Sequence, residues 1–198
     1  MLISARQAAS LLACAGVTGR QARRLLAAGF AGPAQITSAA HLYERAKVLE
    51  LATWPWLEHG GQSAPFAMDA EIRRRGREVF IARRDVDMTA PRDLQLHGLR
   101  GGWDLSDLTR VLLSARCEQL GFVPFVATVA GFVALGAELT GVALRQVRSA
   151  DLTLREPGPW FEQVRGHRLH SGPGRDFAIR RMPAFAQWTG TPSRPETG

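Results

Sequence analysis

Four polar side chains able to contact a nucleic acid lie close together near the start of the chain: Arg20, Gln21, Arg23 and Arg24. The guanidinium group of an arginine can read guanine through a pair of hydrogen bonds. These four residues can do so only if a rigid element presents them together.

The local sequence predicts a short helix with two defined ends. Thr18 is followed three residues later by Gln21, which is the spacing of a capping box and starts a helix at Thr18. The apolar residues that follow recur at helical spacing and form one face, at Ala22, Leu25 and Leu26. Arg20 and Arg24 point to the opposite side, with Gln21 and Arg23 beside them. Gly29 favours the left-handed conformation in which a helix can end.

The preceding residues follow the same pattern. Ser4 and Gln7 form a second capping box, and a second apolar face runs through Ala8, Leu11 and Leu12. Gly16 breaks this pattern before Thr18 starts the next helix. Two short helices joined by a tight turn are typical of a helix-turn-helix, whose second helix lies in the major groove of DNA.

Three blocks in residues 2–54, namely ARQAASLL, GVTGRQARRLLAAG and HLYERAKVLELA, resemble the excisionase and MerR-type winged helix-turn-helix DNA-binding domain. The resemblance implies that the middle block is the recognition helix, that a hairpin wing follows, and that the last block is a third helix packed beneath them. It implies base or groove contacts from Arg20, Gln21, Arg23 and Arg24, and phosphate contacts at the wing from His41, Tyr43 and Arg45. The wing segment AQITSAA, residues 34–40, contains no arginine or lysine.

The sequence also indicates where this domain ends. Residues 34–36 and 40–43 can pair as a small hairpin around Thr37 and Ser38. Helical spacing returns from Glu44 and stops at Trp54-Pro55-Trp56, whose tryptophans either complete the core of the small domain, which we favour, or form a binding surface. We expect a DNA-binding domain over 1–57 and a linker over 58–67.

Residues 68–189 predict an α+β domain of unknown role, built on an antiparallel or mixed sheet. Its first strand is expected at 79–82, after a basic run at 73–77 that either contacts DNA phosphates or is a solvated loop. Residues 85–102 are polar and predict a loop. Residues 105–120 predict an amphipathic helix with Asp104 or Ser106 as its cap. Its apolar face is expected at Leu105, Leu108, Val111, Leu112, Ala115, Cys117 and Leu120.

An uncharged run of sixteen residues, 122–137, predicts buried strands with a hairpin near Gly131. The alternative is a membrane-spanning segment, but the run is shorter than the roughly 20 residues that such a segment needs. Further strands are expected at 141–144, 151–155 and 176–181, the last at an edge, with one or two helical turns at 160–164. Residues 190–198 predict a disordered tail.

The composition, the cysteines and the first residues of the chain predict the compartment of the protein and the kind of partner that it binds. The 198 residues are 45% hydrophobic and 22% charged, as in globular proteins, and the net charge of +7 suits a polyanionic partner. Cys14 and Cys117 lie in apolar patterns and predict buried, reduced thiols. The first residues show no secretory signal, so we expect a cytoplasmic protein. His167 and His170 either bind a metal or, as we favour, are surface histidines, so we expect no metal or cofactor.

Three functions follow as hypotheses. The first is a sequence-specific double-stranded DNA-binding protein that reads the major groove with helix 19–28, as a transcriptional regulator or a plasmid or phage accessory factor; tight binding would need a homodimer or further basic contacts. The second is a protein-interaction module with non-specific affinity for DNA. The third, an enzyme centred on Glu138, Asp151 or His167, is the least favoured, because no catalytic pattern stands out.

Overall fold

The N-terminal part of the chain folds into three short helices and a three-stranded sheet. The structure is a computed structural model that describes residues 1–38, 40–57, 77–146, 149–169 and 176–182. The N-terminal elements are, in order, β1 (Leu2–Ser4), α1 (Ala5–Ala13), α2 (Gly19–Ala27), β2 (Gln35–Ile36), β3 (His41–Glu44) and α3 (Arg45–Thr53). Both capping boxes form as predicted, and Gly16 and Gly29 adopt positive φ angles of 75° and 81° after α1 and α2.

The small sheet contains the predicted hairpin and one strand that was not predicted. β2 pairs antiparallel with β3, with Ile36 opposite His41. β1 pairs with the other edge of β3, so that the strand order is β1-β3-β2. Ile3 and Tyr43 are opposite each other in this pairing, and both are buried. The side chain of Tyr43 therefore belongs to the core of this part of the chain.

The second half is built on a five-stranded sheet. Its elements are β4 (Arg77–Ala82), α4 (Arg92–Arg100), α5 (Asp107–Leu120), β5 (Val123–Val129), β6 (Phe132–Gln146), β7 (Ser149–Arg155), a 3₁₀ helix (Pro159–Gln163) and β8 (Phe177–Met182). The strand order is β7-β6-β5-β4-β8. β4 and β5 are parallel and the other neighbours antiparallel, which confirms the α+β class and the mixed sheet.

The uncharged run forms buried strands joined by a hairpin, as predicted, and these strands lie at the centre of the sheet. All seven residues of β5 are buried, which explains its continuous apolar sequence. Ala130 and Gly131 both have positive φ angles, 52° and 88°, and connect β5 to β6 in a tight hairpin. Within the described ranges, no helix has the length and apolar content that crossing a membrane requires.

The prediction of a loop over residues 85–102 is wrong, because α4 forms there. Pro91 precedes the first turn, and Leu96 and Leu99, three residues apart, are buried. α4 packs against β7. Two inward leucines are enough to hold a nine-residue helix on a sheet, although the sequence is polar as a whole.

The helix predicted at 105–120 forms, with Ser106 as its cap, but its buried face is only partly the predicted one. Cys117 is buried as expected, and so is Leu113, which was not in the predicted face. Leu108 and Val111, which were expected in that face, are exposed, at 69% and 66%. Arg116 lies on the inward side, where its Nε is 3.2 Å from Oε2 of Glu78 and both side chains are largely buried. Long side chains that bury their stems and pair their charges can occupy an inward face, which apolar spacing alone does not show.

The two halves of the chain pack against each other through aromatic rings. Trp54 follows α3 and lies between Phe30 and Phe132, with ring centroids 5.9 and 5.7 Å away. Arg168 is buried beside this group, stacks on Trp56 at 4.1 Å and donates a hydrogen bond from Nη1 to the carbonyl of Ala15 at 3.0 Å. The tryptophans therefore do more than complete the core of the small domain, because they also contact the second half.

The remaining predictions have mixed outcomes. The expectation that both cysteines are buried is wrong for Cys14, which lies exposed at the C-terminal end of α1, and holds for Cys117. The strand at 176–181 and the turn at 160–164 form as β8 and the 3₁₀ helix. The predicted linker, the basic residues 73–75, His170 and the predicted tail lie outside the described residues.

Candidate nucleic-acid interface

The exposed face of α2 carries two of the predicted arginines. Gly19, Arg20, Arg23 and Ala27 are all exposed, and Ala22, Leu25 and Leu26 hold the opposite face in the core. In the described part of the chain, neither Arg20 nor Arg23 has an ion-pair partner. Gly19 and Ala27 are small, so the helix can come close to a flat or concave surface along this face. We call these four residues the exposed α2 face.

The other two predicted contacts in this helix already have partners. The side-chain oxygen of Gln21 accepts a hydrogen bond from the Thr18 amide at 2.9 Å, so this oxygen takes part in the capping box. Arg24 donates from Nε and Nη2 to Oδ1 of Asp85, at 3.1 and 2.6 Å. Gln21 therefore fixes the start of α2, and Arg24 connects α2 to the second half of the chain.

The wing places two of its three predicted contact residues on the surface. His41 and Arg45 are exposed, at the start of β3 and of α3. Tyr43 is only 6% exposed and packs in the core, so we remove it from the expected phosphate contacts. Ile36, near the tip of the hairpin, is 74% exposed. The hairpin thus exposes the apolar Ile36 beside the uncharged polar residues Thr37 and Ser38, and the charged side chain of Arg45 lies at its base.

Two features near this interface could not be predicted from the sequence. β1 fixes the inner edge of the wing, but three residues give no usable periodicity. Asp85 lies 61 residues from Arg24 in the chain, and no local pattern connects the two.

Of the residues considered for an enzyme, Glu138 is held in a network of hydrogen bonds, whereas Oδ1 of Asp151 is buried without a hydrogen-bond partner in the described segments. Among the residues that the structure describes, no cluster of three or more His, Cys, Asp or Glu could hold a metal ion. Glu138 is buried, with 5% of its surface exposed. Its Oε2 accepts a hydrogen bond from Nε of Arg155 at 2.7 Å. Its Oε1 accepts hydrogen bonds from the Gly158 amide at 3.1 Å and from Nε1 of Trp160 at 3.2 Å. This carboxylate joins β6, β7 and the 3₁₀ helix.

Comparison with known proteins found no match to this chain. No family model, no curated protein and no solved structure matches the chain.

Proposed function

We propose that the protein binds double-stranded DNA in a sequence-specific manner, with the exposed α2 face in the major groove, as a transcriptional regulator or a recombination accessory factor. The observation that carries this proposal is the presence of Arg20 and Arg23 side by side on the exposed side of a helix fixed at both ends. An α-helix fits the major groove, and each arginine could make paired hydrogen bonds to one guanine.

The surroundings of α2 support the same proposal. His41 and Arg45 are exposed in the elements that follow α2 and could contact phosphates on either side of the groove. Residues 1–58 hold six basic and three acidic residues, and the whole chain has a net charge of +7. Because a single module of this size buries only roughly 600–1,000 Å² of its own surface on DNA, tight binding would need a homodimer or further contacts.

A protein-interaction module is the second candidate, and the wing favours it. Ile36 is exposed near the hairpin tip, and residues 34–40 contain no basic side chain that would contact a phosphate. In that case DNA binding would be weak, insensitive to sequence and lost at moderate salt.

The test is an unbiased selection of duplex sites with the purified full chain, followed by fluorescence polarisation on the selected site. Arg20→Ala and Arg23→Ala should each weaken binding by about 1–3 kcal/mol, which is about fivefold to more than a hundredfold in Kd. Arg165→Ala is the matched control, because it removes an equal charge from an exposed side chain of the second half. Equal affinities for all three variants and the unmodified protein would reject the assignment of α2.

A further inference from the structure

Asp85 is an acidic residue of the second half that lies directly beside the proposed DNA-binding helix. Its Oδ1 accepts two hydrogen bonds from the Arg24 guanidinium, and the two side chains are 68% and 40% exposed. Arg24 lies at the edge of the exposed α2 face, one residue beyond Arg23. The pair therefore lies at the border between the proposed base-reading surface and the second half.

The backbone around Asp85 is fixed against the end of α2. The Met88 amide donates to the carbonyl of Ala28 at 2.8 Å, and the Thr89 methyl group lies only 2.6 Å from where a Cβ on Gly29 would be. Asp87 accepts from both the hydroxyl and the amide of Thr89, which lowers the pKa of this carboxyl and keeps it charged. Asp85 is thus held next to Arg24 by the fold.

A carboxylate at this position has two effects on a nearby polyanion. It repels phosphates, and it occupies the guanidinium of Arg24, which would otherwise attract them. The pair is partly exposed, and such pairs contribute only about 0–1 kcal/mol, so a phosphate can compete with Asp85 for Arg24.

We infer that Asp85 competes with DNA phosphates for Arg24 and thereby lowers the affinity of the protein for duplexes of any sequence. This inference rests on the proposed function. Phosphate contacts supply almost all of the non-specific affinity of DNA-binding proteins, whereas base contacts supply the discrimination. Because a phosphate contact is available on every duplex, suppressing it weakens binding to all sequences by a similar factor.

The experiment compares Asp85→Asn with Glu118→Gln in the full chain. Glu118 is exposed on α5, so its substitution makes the same change in net charge away from α2. Binding to a duplex of random sequence is measured by fluorescence polarisation over a series of salt concentrations. Asp85→Asn should tighten this binding by up to about fivefold, the equivalent of about 1 kcal/mol. It should also steepen the salt dependence by about 0.9, the slope of one additional phosphate contact.

The double variant Arg24→Ala/Asp85→Asn separates competition for Arg24 from a simple change of charge. Removing Arg24 should weaken binding more in the Asp85→Asn protein than in the unmodified protein. The inference is overturned if Asp85→Asn binds no more tightly than Glu118→Gln, or if the effect of Arg24→Ala is the same in both backgrounds.

The outcomes also distinguish this inference from the proposed function. If the unmodified protein selects a site through Arg20 and Arg23 but Asp85→Asn changes nothing, only the inference fails. If neither protein binds any duplex, the proposed function fails, and the inference fails with it. Thermal melting of each variant shows that a change in binding does not come from unfolding.

Discussion

Gly136, in the middle of β6, lies against the ring of Phe161 more closely than any larger residue would permit. A Cβ on Gly136 would be 2.2, 2.5 and 2.6 Å from three atoms of this ring. The ring would have to retreat by about 1 Å before normal van der Waals separation is restored. It has little room to move, because Phe161 is buried and packs edge-on against the fully buried Trp160 at 5.9 Å.

We therefore expect Gly136→Ala to destabilise the protein by about 1–3 kcal/mol, the usual range for overpacking a core. In a chain of this size each kcal/mol corresponds to about 2–4 °C in Tm. Gly141→Ala in the same strand is the matched control, since a Cβ there would meet Thr153 at an ordinary 3.5 Å. Chemical denaturation and calorimetry measure both variants.

Equal stability of the two alanine variants would refute this reasoning. It would mean that the 3₁₀ helix does not press its phenylalanine onto β6. The packing of the whole segment from Pro159 to Arg168 against the sheet would then need revision.

Two further predictions concern buried polar groups. Burial raises the pKa of the Cys117 thiol to about 11, so this thiol should react slowly in the folded protein. Iodoacetamide should therefore label only the exposed Cys14 in the folded protein and both cysteines after denaturation, as counted by mass spectrometry. Rapid labelling of Cys117 in the folded protein would contradict its burial. Glu138→Ala leaves Nε1 of the buried Trp160 and the half-buried amide of Gly158 without their acceptor. A buried unsatisfied donor costs about 1–3 kcal/mol, so chemical denaturation should show a loss of about 1–3 kcal/mol. A loss below that range would show that water or another group replaces the carboxylate.

The parts of the fold that depend on local interactions could be predicted from the sequence. The two capping boxes join residues three apart, and the left-handed turn at Gly16 depends on that residue alone. The central strands were recognisable because a strand buried on both faces needs an unbroken apolar sequence, as in β5.

The parts that depend on distant contacts could not be predicted. Trp54 packs on Phe132, and Arg24 pairs with Asp85, although each pair is far apart in the chain. The inward face of α5 was assigned wrongly in part for the same reason, because the ion pair with Glu78 that accommodates Arg116 forms across the fold.

The candidate site likewise has features that could be predicted from the sequence and features that could not. Helical spacing predicts that Arg20 and Arg24 point away from the apolar face, and Arg20 is exposed as expected. Arg24 instead pairs with Asp85, which leaves Arg23 as the second exposed arginine. The burial of Tyr43 follows from its pairing with Ile3 in β1, which the sequence did not reveal. Resemblance to a winged helix-turn-helix domain stays a prediction.

The ratio of specific to non-specific affinity at physiological salt tests the central claim most directly. It is measured for the unmodified protein and for Arg20→Ala/Arg23→Ala, on the selected site and on a random duplex of equal length. A protein that reads bases through the exposed α2 face should prefer its site by about 10³-fold or more, and the double variant should lose most of this preference while keeping its affinity for the random duplex. A ratio near one for the unmodified protein, or a preference that survives the loss of both arginines, would contradict the claim.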